Sequence, residues 1–323
     1  LVAFEDKLMQ KVVIWGHKLG THTHSYVHYG YWRAADSMGY EVEWFDDNDD
    51  VSGVDFSNSI FITEHNVCKN MPVRDDCVYF NHNSDLPFHK TDRDSPKRLT
   101  HPKYFNFVYF SDRWAPSDNI VWPNQDELQY ISQHHYFHPK TNTITTMWAT
   151  DLLPDEIDEV EPELFDESKD SIYFVGTIQG NNILEFKNIC ERNGKHFRNV
   201  GGWTGESNLY TKASPDINQN IQMVRDSYIS IDIRDEPHLV QGRYYPCRLF
   251  KNISYGKWTG SNHPEVADVF GDHFTTDSNL ESLYHKLVED SRNCTEKKMR
   301  DAMNFIRDNH TYVSRIKDMF SLL

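Results

Sequence analysis

The sequence predicts an α/β protein of two doubly wound halves, each with a mostly parallel sheet, and a cleft between them. Three observations carry this expectation. Short apolar runs end in Gly or in polar loops and alternate with stretches of helical periodicity, as buried parallel strands joined by helices do. The pattern breaks once, at an acidic stretch, and then restarts. The length of 323 residues suits two domains, each large enough to bury its own core.

In chain order, Lys11–Gly16 (KVVIWG) reads as a strand closed by Gly, Tyr26–Met38 as a helix and Tyr40–Phe45 (YEVEWF) as a second strand. Further strands are expected at Ser59–Thr63, Cys77–Phe80, Phe105–Phe110 and Ile120–Trp122. In residues 151–170, ten of twenty side chains are Asp or Glu and two are Pro, which reads as a solvated linker. The alternation resumes with strand Ser171–Gly176 (SIYFVG), helix Asn182–Asn193 and strand His196–Gly201. Helix Ile217–Ser227, strand Tyr228–Ile233, helix Pro246–Tyr255 and helices around Leu280–Asp290 and Glu296–Asn309 complete the second half. The expected boundaries are therefore 1–150, the linker 151–170, 171–305, and a final helical segment 306–323 that crosses back to the first half.

Composition narrows the function. With 33 basic and 49 acidic residues the net charge is −16, which excludes a broad basic face for nucleic acid. A low hydrophobic share of 38% is offset by an aromatic share of 14%, since each ring buries a large area, and the composition is globular. No apolar run of about 18 residues is present for a membrane span, and Leu1–Gln10 is too short and too charged for a secretory leader. The start at Leu1 rather than Met reads as that of a partial chain. Five scattered cysteines make neither a disulfide framework nor a zinc ribbon, so a reducing, cytoplasmic setting is expected. The sequons at Asn252, Asn293 and Asn309 read as chance matches, Asn252 lying inside an expected helix.

Three groups of residues carry chemistry. The loop after the first strand, GHKLGTHTHS, faces the crevice at the carboxyl end of the sheet and offers His17, His22 and His24. His24, or Glu64 at the end of SIFIT, is the candidate general base; His17, His22 and Asp112 are candidate acceptor contacts. His22 and His24 also form an H-x-H pair, which leaves open a metal-dependent hydrolase. In the second group, Arg243, Arg248 and Lys251 place three cations within nine residues, suited to a diphosphate, or else to internal ion pairs with Asp232, Asp235, Glu236 or Glu265. Asn262, His263 and Glu265 follow in WTGSNHPEV, where they can meet sugar hydroxyls. Third, Gly176, Thr177 and Gln179 form a strand-to-helix turn whose N–H groups can meet a phosphate.

Taken together, VVIWGHKLGTHTHSY, MWATDLLP, SIYFVGTI and YYPCRLFKNISYGKWTGSNHPEVADVF resemble the GT-B glycosyltransferases, of family-1-like and family-4-like type. The resemblance implies two Rossmann-like domains, an acceptor-binding half before residue 151 and a nucleotide-sugar donor half after residue 170. It also implies a metal-independent hexosyl or deoxyhexosyl transfer to a carbohydrate acceptor in glycan or polysaccharide assembly, with no cofactor beyond the donor. One position departs from it: where retaining members carry a Glu five residues before the final Gly of the donor helix, this chain has Lys251. The set Arg243, Arg248 and Lys251 is instead similar to GT-B enzymes, fucosyltransferase-like ones among them, that neutralise a leaving diphosphate with Arg and Lys. A non-catalytic nucleotide-sugar or glycan-binding protein is the remaining alternative.

Overall fold

A computed structural model of the chain describes residues 11–20, 22, 24–64, 67–82, 101–108, 128–133, 135–140, 142–176, 180–201, 217–234 and 245–323. They cluster into two compact units: the described residues up to Met147 with Tyr312–Leu323, and Trp148–Thr311.

The first unit opens with β1 (Lys11–Trp15), α1 (Ser25–Ser37), β2 (Glu41–Phe45), β3 (Ile60–Glu64), β4 (Val78–His82) and β5 (Tyr104–Val108). It continues through β6 (Gln129–Ser132), β7 (His135–His138) and β8 (Thr143–Thr145). They make one eight-stranded sheet in the order β2-β1-β3-β4-β5-β8-β7-β6. Every pairing from β2 to β8 is parallel. β8, β7 and β6 extend it antiparallel, an extension the sequence pattern did not announce. One face of the sheet buries Val13, Trp15, Phe61, Tyr79 and Tyr104 with Phe56 and Met71. The other face takes α1, whose buried Val27, Tyr31, Ala34 and Ala35 recur at helical spacing. Strand order reverses between β1 and β3, the place in an open α/β sheet where the strand ends leave a crevice for ligands.

In the second unit a short helix, α2 (Pro154–Glu159), precedes β9 (Ser171–Val175), α3 (Asn181–Arg192), β10 (His196–Val200), α4 (Ile217–Asp226) and β11 (Ser230–Asp232). Then come α5 (Cys247–Ser254), β12 (Thr259–Ser261), α6 (Ala267–Phe270), β13 (Thr275–Thr276), α7 (Leu280–Asn293) and α8 (Glu296–Asn309). β10 pairs with β9, and β11 with β12 and β13, all in parallel. The two sheets abut where Tyr228 N–H donates to Ser171 C=O at 2.7 Å. Side chains of Asn279 and Thr295 accept from Ser282 and Lys298 N–H groups and so cap α7 and α8. The last helix, α9 (Tyr312–Phe320), belongs to the first unit, where Tyr312 lies against Tyr31 of α1 with ring centroids 4.7 Å apart.

Residues 151–170 differ from a solvated connector. Ile157 is fully buried, and the carboxylates reach cations remote in sequence: Asp151 meets Lys251 at 2.7 Å, Glu163 meets Lys169 and Arg225, and Asp158 meets Arg307 at 2.6 Å. The stretch is a strap on the second unit. Among the described residues no helix is long and apolar enough to cross a membrane. The five cysteines are free thiols, and Asn252 is buried within α5. The expected strand Ile120–Trp122 lies outside the described residues.

Candidate active site

Among the described residues, Glu64 departs plainly from a packing rule. It ends β3, a strand buried at every position, and is itself 0% exposed. A buried carboxylate persists only where hydrogen bonds and opposite charge offset its desolvation. Here they come from imidazoles. His24, at the start of α1, places Nδ1 2.8 Å from Glu64 Oε1, and His28, one turn on, places Nε2 3.4 Å from Oε2. The parallel register sets Glu64 beside His82, the last residue of β4. Burial pushes the Glu64 carboxyl up, but the hydrogen bond and charge of His24, with His82 and His28, outweigh it and hold it well below the usual range.

Gly16 makes this packing fit. It closes β1, and a Cβ there would lie 2.2 Å from the His28 ring. His28 is nearly fully buried, and that burial lowers it to about 4, so it is neutral. His17 and His22 stack at 4.1 Å, and burial lowers both. His22 Nδ1 accepts the His24 backbone N–H at 3.2 Å. The structure thus brings His17, His22, His24 and Glu64 together at the carboxyl ends of β1 and β3 and adds His28 and His82. Asp112 lies outside the described residues.

In the second unit the site candidates separate into two groups. Arg248 donates from Nε to Val175 C=O at 2.9 Å, lies over the Phe174 ring and pairs with Asp232, the last residue of β11. Arg234 Nε approaches the same carboxylate at 3.1 Å. Burial lowers the Arg248 guanidinium against the raising effect of Asp232. Gly176 is required beside it, with φ +144° and Arg248 Nη2 only 2.2 Å from where a Cβ would stand. Asn262 is tied in through Arg234: its Oδ1 accepts the Arg234 N–H and its Nδ2 donates to the Arg234 C=O, both at 2.7 Å. His263 is buried next door against the Tyr245 ring.

Lys251 belongs to the other group. Its ammonium is on Asp151, which also accepts from Tyr255 Oη at 2.7 Å, so it forms an internal ion pair. Glu265 accepts the Tyr245 hydroxyl through its backbone carbonyl at 3.1 Å. Thr177, Gln179 and Arg243 lie outside the described residues. Sequence reasoning missed Arg234, two residues past Asp232, and also His28 and His82. His28 stands one turn after His24, and His82 stands just beyond an apolar run, so both signals were present but unspecific.

No protein-family model and no curated protein sequence matches the chain. Among solved structures it is similar to an alpha1,3-fucosyltransferase, with 9% sequence identity and a TM-score of 0.36, over 94% of this chain and 81% of that chain. The fold follows from the chain's own topology: α/β, with a large, mostly parallel, Rossmann-like central sheet.

Proposed function

We propose that the protein is a glycosyltransferase that moves a sugar from a nucleotide donor to a carbohydrate hydroxyl, with His24 as the proton acceptor. The observation that supports this most directly is the His24–Glu64 pair at the β1/β3 crevice, 2.8 Å apart. The His24 side chain is 23% exposed and Glu64 is 0% exposed, so the imidazole meets the acceptor and the carboxylate orients it. With Nδ1 held by Glu64, Nε2 takes the hydroxyl proton. The acceptor oxygen forms a bond to the anomeric carbon as the bond from that carbon to the phosphate oxygen breaks. The electron pair leaves with the nucleoside diphosphate.

The leaving diphosphate needs fixed positive charge rather than a proton. The Arg234–Arg248 pair on Asp232, with Gly176 making room for the Arg248 guanidinium, is the group in the second unit suited to that task. Arg248 and Lys251 are each in an internal ion pair, with Asp232 and Asp151 respectively; only the first pair has a second guanidinium, that of Arg234, beside it. The transfer itself requires no metal.

The test is a panel of nucleotide sugars and nucleoside diphosphates, read by thermal shift and calorimetry, followed by assay of diphosphate release with glycan acceptors. The expected result is one preferred nucleotide, with His24→Asn lowering turnover by about 10²- to 10⁴-fold at unchanged donor affinity. If no nucleotide binds, or if His24→Asn weakens only donor binding, the reading fails.

A further inference from the structure

We propose that His24, Glu64 and His82 form a binding site for one divalent cation of the zinc class. Each side chain offers one ligand atom, and these atoms lie within 4.8 Å of one another. Three separate elements deliver them: the start of α1, the end of β3 and the end of β4. The H-x-H pair read from sequence is not the ligand set, because His22 Nδ1 accepts a backbone N–H.

The donor set selects the ion. Calcium and magnesium take oxygen ligands, whereas two imidazoles with one carboxylate match zinc, with a fourth position left to water or a hydroxyl. Ligand atoms around tetrahedral zinc stand roughly 3.4 Å apart, so a group already within 4.8 Å needs only a small adjustment to seat the ion. Glu64 and His82 are fixed side by side in the parallel ladder. His24 is the adjustable member, being partly exposed where the other two are buried. Zinc ligands also need support from behind. The other Glu64 oxygen faces His28 Nε2 at 3.4 Å, and stacking on Phe107 at 5.5 Å fixes the plane of the His82 ring.

Metal binding does not rest on the transfer reading, but it has a consequence for it. An ion on His24 and Glu64 occupies lone pairs of the pair proposed to take the acceptor proton, so the bound ion silences transfer rather than supporting it.

The test uses the whole chain and the metal alone. Calorimetric titration with Zn²⁺ should show one saturable equivalent, and Co²⁺ should give the visible absorption of a tetrahedral site. His82→Ala should weaken Zn²⁺ at least about 100-fold, removal of a ligand costing no less than loss of its support. His285→Ala, a 61% exposed surface histidine, should leave affinity unchanged. His82→Gln provides a shape-conserving variant if the alanine form does not fold. Absence of a saturable equivalent, absence of the tetrahedral Co²⁺ spectrum, or full affinity in a folded His82 variant overturns the proposal. Because no donor or acceptor takes part, failure here leaves the transfer reading standing, and failure of transfer leaves this one standing.

Discussion

Replacing Lys257 by Met should stabilise the protein, and by an amount that depends on pH in a defined way. Lys257 follows Gly256 at the end of α5 and is only 3% exposed, with Nζ 3.3 Å from the Arg225 carbonyl. Burial, then the charge of Lys169, lower its ammonium from 10.5 to about 7, against an upward pull from Glu163. Between those two values the unfolded chain holds a proton that the folded chain does not, so stability rises with pH through that window. Below about pH 7 the folded state carries the full cost of a buried charge, roughly 3.5 units at ~1.4 kcal/mol each, or about 5 kcal/mol. Lys257→Met keeps an apolar stem of similar length and removes that cost. Urea unfolding of both proteins from about pH 6 to about pH 10 should show the variant ahead by several kcal/mol at the acid end. The advantage should shrink by ~1.4 kcal/mol per pH unit across the window. Parallel profiles, or a variant less stable throughout, would refute the buried-ammonium argument, since the difference cancels the titration of every group that does not interact with Lys257.

Gly30→Ala in α1 should destabilise by about 1–2 kcal/mol although alanine favours a helix, because its Cβ would fall 2.2 Å from the buried Tyr312 ring. In a Tyr312→Ala background the same change should become stabilising, as a thermal-melt cycle would show. Gly16→Ala should cost about 1–3 kcal/mol by pushing the His28 ring away from its seat beside Glu64, and should weaken Zn²⁺ binding in the same preparation. Stoichiometric Zn²⁺ should inhibit diphosphate release in the transfer assay and a chelator should restore it; an unaffected rate at saturating Zn²⁺ would separate the ion from the proton acceptor.

How far the sequence could be read depended on whether a signal was local. The apolar run SIFIT announces β3, and the polar Glu64 after it is visible as a strand end in a crevice. β4 was expected to stop at Phe80, where the apolar pattern stops, yet it runs to His82 because its ladder with β3 continues through Asn81 and His82. Hydrogen bonding sets the end of a strand, and periodicity reports only its buried part, so His82 escaped notice. The antiparallel extension was missed for a related reason: QYIS, HYFH and TIT alternate weakly and carry no apolar run. The acidic stretch looked like a linker because its partners Arg225, Lys251 and Arg307 come from far along the chain. Nothing local distinguishes a paired carboxylate from a solvated one.

The two units place their costly polar groups at matching positions. Glu64 is the last residue of β3, the strand beside β1 where the first sheet changes direction. Asp232 is the last residue of β11, the strand that abuts β9 in the second unit. Packing alone would favour an apolar residue at both, since a buried carboxylate is tolerated only with compensation. What differs is the compensation. Glu64 is met by imidazoles, whose ring nitrogens can either donate or accept a hydrogen bond. Asp232 is met by guanidiniums, which remain charged and present forks to anionic oxygen. A reaction that must collect a proton from a hydroxyl and hold a departing diphosphate needs one site of each kind. In the proposed transfer, the same topological position, filled once with histidine partners and once with arginine partners, would provide both.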